Sequence, residues 1–344
     1  MRNALNGVGG RNNIIVCVIG SVMQILSDAD LYSMKTLDAT LRKNLEANIY
    51  AGAHKAIIES SGSWDEYPWH SGRKGIASHQ VNSSQALSID VFGTVKSSFN
   101  QAARDAVMNA LAAELGMKPD QGWEIGLEWI DCNNCLREPR QTQVDVKAQA
   151  RNSLILMECK FSEQDGGSCS QVKPLQKGKY KGICQCNGSY RVQTNPVGGQ
   201  KAKCALTAKE IRYWDLIPQI FEFDSRQQYE KCPFRGGWFQ WMRNLVLCRE
   251  LAGNSLQPKV AVVYVDSPSM PFKQKMESGD WAKFLGTIKK KDLLSTLSYQ
   301  RILELGAEAL RSFPTERQTW EELNLHVQHK IDLVEMKMAA AIQQ

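Results

Sequence analysis

Histidine is scarce in this chain, five in 344 residues, and His54, His70, His79, His326 and His329 all lie away in sequence from the strand-like segments that carry its acidic residues. That scarcity argues against an HNH-type or other histidine-based hydrolytic centre. Apolar runs of bilayer length are missing too. Residues 14–26, preceded by Arg2 and Arg11, are too few to span a membrane, and Ser27-Asp28-Ala29-Asp30 behind them lacks the small-residue cleavage site of a secretory leader. No internal repeat and no low-complexity segment interrupts a composition that is 43% hydrophobic and 23% charged, that of a soluble globular protein rather than a disordered or fibrous one. Acidic residues vanish altogether between positions 166 and 209, where Lys173, Lys177, Lys179, Lys181, Arg191, Lys201, Lys203 and Lys209 remain. The net charge is only +6, yet a block of one sign suits a polyanion more than the total does.

Ten cysteines in a chain of this length are too unevenly spread for a disulfide-stapled mini-domain, and they point to a reduced, cytoplasmic protein with room for a metal site. Residues 1–33, Gly- and Asn-rich at their start, read as a poorly defined leader. Residues 34–344 read as a single domain. Leu37, Leu41, Leu45 and Ile49 recur every four positions and predict an amphipathic helix over 36–59. Residues 83–115 carry few helix breakers and predict two helices meeting near Gly93. Residues 124–130 alternate between Ile125, Leu127, Trp129 and Glu124, Gly126, Glu128, which is strand periodicity. Two more strand-like segments follow, 144–149 with Asp145 and 154–161 with Glu158 and Lys160, so 124–161 reads as an antiparallel meander. After an irregular, basic, cysteine-bearing insert, Thr207-Ala208-Lys209-Glu210 is a capping-box pattern before a helix at 211–223 that Pro218 must kink or end. Residues 239–251 predict another helix. The β-branched run 260–265 predicts a fully buried central strand, and 280–288, 291–305 and 320–338 predict three further helices.

The chemistry concentrates at Asp145 and, after twelve intervening residues, Glu158-Cys159-Lys160. Alternation along a strand puts Glu158 and Lys160 on one face and Cys159 on the other. Buried charges are costly unless they have work to do. An antiparallel neighbour carrying Asp145 would bring two carboxylates and an ammonium to one point. Two hard oxygen donors with open water positions are what Mg²⁺ or Mn²⁺ requires, and the backbone carbonyl of Cys159 would add a ligand. Such a centre cleaves phosphodiesters, with Lys160 orienting water or stabilising the transition state.

These residues resemble the active-site signature of the PD-(D/E)xK nuclease superfamily, with Val144 where the signature has proline. The wider context is similar to a restriction-endonuclease-like bacterial branch: Ser83-Ser84-Gln85-Ala86 opening a helix, Phe161-Ser162-Glu163 after the lysine, and Cys232-Pro233-Phe234 leading to Gln240-Trp241-Met242-Arg243-Asn244. The resemblance covers roughly residues 80–310. It implies an α/β fold with a restriction-endonuclease-like core, a central mixed sheet flanked by helices, and a metal-dependent deoxyribonuclease of a restriction or DNA-defence system. The substrate would be DNA, and the expected assembly a homodimer or a complex with a defence-system partner subunit. A non-catalytic DNA-binding subunit retaining the fold is the alternative. The resemblance also implies an upstream acid as metal ligand; Glu124 and Glu128 share a strand face, and Glu128 is preferred as nearer the Asp145 hairpin. Gln240 resembles the glutamine that orders the active-site lysine in RecB-like nucleases, with Arg243 on the same helix side to contact phosphate, and Lys173, Lys177 and Lys179 lie in the basic insert for nucleic acid. Cys169, Cys184, Cys186 and Cys204, spaced by fourteen, one and seventeen residues, match no standard zinc ribbon. Zn²⁺ would still fold such an insert. The resemblance adds an iron–sulfur cluster, with Cys232 replacing one of the four. Cys132-x-x-Cys135 forms a separate half-site, and reduced unligated thiols remain open.

Overall fold

The computed structural model describes residues 16–19, 22–25, 37–72 and 75–342. The chain separates into two units, residues 1–36 and 37–344. In the first, β1 (Val16–Ile19) and β2 (Val22–Ile25) pair antiparallel; the rest of the leader lies outside the described residues.

The second unit runs α1 (Ala39–Asn48), α2 (His54–Ser61), two-residue strands β3 (Ser71–Gly72) and β4 (Gly75–Ile76), α3 (Ser84–Ser88), α4 (Thr94–Ser98) and α5 (Gln101–Glu114). The meander β5 (Glu124–Ile130), β6 (Gln143–Gln149) and β7 (Ser153–Lys160) follows. Beyond the insert, with β8 (Gln193–Thr194) and β9 (Lys201–Ala202), come α6 (Tyr213–Ile220), α7 (Phe239–Ala252), β10 (Gln257–Tyr264), α8 (Pro271–Met276), α9 (Gly279–Gly286), β11 (Leu294–Ser298), α10 (Tyr299–Ala309) and α11 (Pro314–Ile342). The main sheet has the order β11-β10-β7-β6-β5. Its meander half is antiparallel, and β10 lies parallel to both β7 and β11.

A mixed sheet with helices on both faces needs central strands that are apolar throughout. All eight residues of β7 are buried. Ile155, Met157 and Cys159 enter a core shared with Leu45, Ala86, Met108, Ile302 and Leu323, whereas Leu154 and Leu156 enter a second core with Ile217, Leu245, Phe272 and Phe284. In β10, Ala261 and Val263 face the first core and Val260 and Val262 the second. The run at 260–265 is thus a central strand, as its composition predicts.

Four expectations shift. The helix over 36–59 is broken at Ile49 and Tyr50, because the Tyr50 N–H leaves the helical ladder to donate to Asp90 Oδ1 at 2.7 Å. The helices over 83–115 do not part at Gly93. That glycine closes a buried π-helical turn, Ile89–Gly93, between α3 and α4, where an added Cβ would stand 3.1 Å from Ala53 Cβ and 3.3 Å from that of Ala56. The true break comes at Asn100, which caps α5 by accepting the Ala103 N–H at 3.0 Å. The capping box at Thr207 is not used, since Glu210 adopts a left-handed conformation with φ of 64° after a single 3₁₀ turn. The first half of the helix at 291–305 is instead β11, which takes up the open ladder edge of β10. Ser298 then caps α10, accepting the Arg301 N–H at 3.1 Å.

Asp90, in the π turn, is fully buried and accepts Lys330 Nζ of α11 at 2.5 Å, with His326 Nε2 at 3.5 Å. Burial would raise its carboxyl, but Lys330 and His326 hold it below the ordinary 3.8. A depressed folded-state pKa means the pair's contribution is whole above the ordinary value and is lost as pH falls through the folded one. Asp90→Asn, which strands Lys330 in the core, is expected to cost about 3–5 kcal/mol at neutral pH. The gap to the parent should narrow in acid. Urea unfolding of both proteins across pH checks this, and a pH-independent gap would refute it.

Candidate active site

At the rung where β5 and β6 place Glu128 opposite Asp145, the hairpin changes faces. Leu127 and Val146, paired on one side of the rung, belong to the first core; Trp129 and Val144, paired on the other, pack in the second. Residues two apart on a regular strand share a face, so the backbone must rotate between them. Glu128 takes up that rotation with φ of 47°, a left-handed conformation that non-glycine residues rarely adopt and that clusters at functional sites. The β6–β7 ladder ends one rung earlier, at Val146 with Met157. Beyond it the Asp145 side chain replaces the missing backbone partner, its Oδ2 accepting the Cys159 N–H at 2.6 Å.

Glu158 and Lys160 lie 3% and 5% exposed, on the face opposite Cys159, which enters the first core. Lys160 Nζ donates to Glu158 Oε1 at 2.9 Å and to Gln240 Oε1 of α7 at 3.2 Å. One turn further along α7, Asn244 Nδ2 donates to Glu158 Oε2 at 2.8 Å. Gln240 and Asn244 therefore brace the two ends of one ion pair. Arg243 bears on Glu158 electrostatically, and its Nε is buried with no hydrogen-bond partner among the described residues.

His70, before α3, joins the acids although its sequence position gives no sign of it. Its Nε2 lies 3.1 Å from Glu128 Oε2, which also accepts Gln143 Nε2 at 2.5 Å. One ligand atom each from His70, Glu128 and Asp145 falls within 4.8 Å of the others. Gln85 holds the histidine segment in place: its Oε1 accepts the His70 N–H at 2.8 Å and its Nε2 donates to the Pro68 carbonyl at 3.0 Å. Ser83 caps α3, and Ser84 donates to Glu163. Glu124 is exposed at the far end of β5.

Burial, then repulsion from Glu158 and Glu128, pushes the Asp145 carboxyl well above its ordinary 3.8. Burial acts the same way on Glu158, but Lys160, Arg243 and Asn244 outweigh it and hold that carboxyl low. Burial would neutralise Lys160; Glu158, Glu163 and Asp145 overcome it and keep the ammonium charged. For His70, desolvation is outweighed by Glu128, which raises the imidazole to about 9. Glu128 Oε1 is buried without a hydrogen-bond partner among the described residues. An acid-rich cluster with an orphaned carboxylate oxygen fits a divalent cation. The expected pairing of Asp145 with Glu158 as the two carboxylates of one such ion is modified here. The three ligand atoms that come together are those of His70, Glu128 and Asp145, while Glu158 is turned to Lys160 and Asn244.

Lys173, Lys177, Lys179 and Lys181 are exposed on the insert. Two cations of the block are not free for a ligand: Lys203 donates to the Ser225, Arg226 and Gln227 carbonyls, and Lys209 to Gln171 and Gln185. Cys135 turns its thiol to Asp131 Oδ1 at 3.6 Å.

A five-stranded mixed sheet between two helical layers, with acids and a lysine at the splayed end of its central hairpin, defines a restriction-endonuclease-like α/β protein. The chain belongs to the family described as restriction endonuclease associating with ARP, whose family model matches residues 21–299. Neither a curated protein nor a solved structure matches it. Among the described residues, no helix is long and apolar enough to cross a membrane.

Asp145→Asn keeps an oxygen for the Cys159 N–H and removes the repulsion from Glu128 and Glu158. In EDTA it should equal the parent in stability or exceed it by roughly 1 kcal/mol. Urea unfolding checks this; a large loss would mean that the charge itself holds the rung.

Proposed function

We propose that the chain is a divalent-metal-dependent deoxyribonuclease of a DNA-defence system, acting as an endonuclease with the PD-(D/E)xK set Asp145, Glu158 and Lys160. The observation that carries this reading is the convergence of Glu128, Asp145 and Glu158 beside Lys160 with one carboxylate oxygen unsatisfied. Asp145 and Glu128, with His70 once its proton is displaced and the Cys159 carbonyl, are the donors that would hold Mg²⁺ or Mn²⁺, Glu158 joining them by turning from Asn244, a carboxylate-dominated set suited to hard cations. A cation bound there neutralises phosphodiester charge and lowers the pKa of a coordinated water.

The chain's own groups supply the rest. Lys160 is held charged, so it acts as a cation and not as a base. An ammonium has three N–H donors; Glu158 and Gln240 take two, leaving one for a phosphoryl oxygen as negative charge builds in the transition state. Asn244 keeps Glu158 oriented so that Lys160 cannot swing away. Arg243 offers a second cation to the phosphate. The exposed lysines of the insert bind the DNA backbone by charge, and the partner named in the family's description would join the chain in the cell.

Asp145→Asn, Glu158→Gln and Lys160→Ala should each lower cleavage of circular and linear DNA in Mg²⁺ or Mn²⁺ by about two to three orders of magnitude, with circular dichroism unchanged and no cleavage by any form in EDTA. Undiminished cutting by a folded Lys160→Ala protein would refute the assignment, and so would DNA binding with no cleavage in any divalent metal. The triple variant Lys173→Glu, Lys177→Glu, Lys179→Glu should bind DNA more weakly, with a log–log salt slope shallower by about three; an unchanged slope would place DNA elsewhere.

A further inference from the structure

The insert between β7 and α6 has little apolar material to hold it together. Among its described residues from 166 to 209, the buried apolar side chains are Cys186, Tyr190 and Ala205. Its backbone is nonetheless drawn to one place together with the segment before α7. The Cys169 N–H donates to the Arg235 carbonyl at 3.2 Å, and the Arg235 N–H to that of Cys232 at 3.2 Å. The Cys232 N–H donates to the Gly188 carbonyl at 2.7 Å, two residues beyond Cys186. Gln193 Nε2 spans Cys186 Sγ at 3.6 Å and the Lys203 carbonyl, next to Cys204, at 3.3 Å. Four segments, each with one cysteine, are thereby hydrogen-bonded to one another. The sulfurs feel one another's charge: Cys232 that of Cys204, Cys169 and Cys186, Cys169 that of Cys204 and Cys186, and Cys204 that of Cys186.

A second observation is independent of this convergence. Gly188 donates to Cys186 Sγ at 3.4 Å. Around the other three sulfurs burial holds the thiols above their ordinary range, and the N–H groups of Gln171 at Cys169, of Leu206 and Thr207 at Cys204, and of Phe234 at Cys232 work against it. A thiol is a weak acceptor, whereas a thiolate is a charged one that such donors stabilise. Four cysteines brought together by these hydrogen bonds suit a soft cation.

We propose that Cys169, Cys186, Cys204 and Cys232 are the four thiolate ligands of a structural metal centre, either Zn²⁺ or an iron–sulfur cluster, that folds the insert and fixes the start of α7. Cys184, whose backbone pairs with Pro174, is not a ligand. The centre reaches the sheet through a short path. The Gly166 N–H donates to the Gly237 carbonyl at 2.9 Å and the Gln240 N–H to that of Gly166 at 2.7 Å, so the segment following Cys232 sets the position from which Gln240 and Asn244 meet Lys160 and Glu158.

The test is the metal and acid-labile sulfide content of the full chain, purified without oxygen. About one zinc per chain, or about four irons with matching sulfide and a visible absorption that bleaches on reduction, is expected. Cys186→Ser and Cys232→Ser should lower the content at least tenfold, and Cys184→Ser should leave it unchanged. Because ligand variants can misfold, the parent protein supplies a second reading: a mercurial should release the metal as four thiols are titrated, after which protease should cut within residues 166–235 while the β-sheet signal persists. A parent protein purified with negligible metal, full metal in Cys186→Ser and Cys232→Ser, or its loss in Cys184→Ser would overturn the assignment. These readouts do not involve DNA cleavage, so they stand or fall apart from the nuclease reading.

Discussion

The Glu158–Lys160 ion pair is the constraint around which the rest of the domain is arranged. It sits at the end of a strand covered on both faces, where separated charges would be prohibitively costly and where even a matched pair adds little net stability. Its presence demands that the second helical layer supply polar groups at that depth. Helix α7 does so with Gln240 and Asn244, one turn apart, while Leu245 and Val246 of the same helix remain in the apolar core. The fold thus tolerates a charged patch because one helix presents both a hydrophobic stripe and an amide pair to the same sheet.

The opposite wall is set by the exchange of faces at Glu128 and Asp145. A regular hairpin would send these two side chains alternately with their neighbours and leave the ladder intact. The left-handed Glu128 rotates the strand from one core to the other, and the lost backbone pairing beyond Val146 frees the Cys159 N–H for a carboxylate. Carboxylates brought so close repel, which appears in the raised Asp145 carboxyl and in the recruitment of His70 as a counter-charge. Stability is given up at this rung in a way that suits binding of a cation, a trade common at functional sites.

Charge is sorted by depth across the molecule. Lysines of the insert divide into those whose ammonium groups tie loops internally, Lys203 and Lys209, and those at the surface, Lys173, Lys177, Lys179, Lys181 and Lys201. Only the latter are available to a polyanion. The acid-free composition of the segment does not distinguish the two groups, because the same side chain serves as a backbone donor or a solvated charge according to what folds beside it.

The meander, the buried strand at 260–265, α7 and the Asp145/Glu158/Lys160 grouping were legible along the chain, since strand alternation, β-branched runs and short spacing are local properties that any fold must honour. The sequence also carried the family resemblance, on motifs confined to such local stretches. Packing alone sets His70 beside Glu128, brings Asn244 rather than solvent to Glu158, makes 294–298 an edge strand, and ties together the segments that carry Cys169, Cys186, Cys204 and Cys232. Those relations join residues up to 86 positions apart, the separation of Glu158 from Asn244. Such pairings are fixed by which surfaces pack and which backbone groups need partners, and no periodicity along the chain records them.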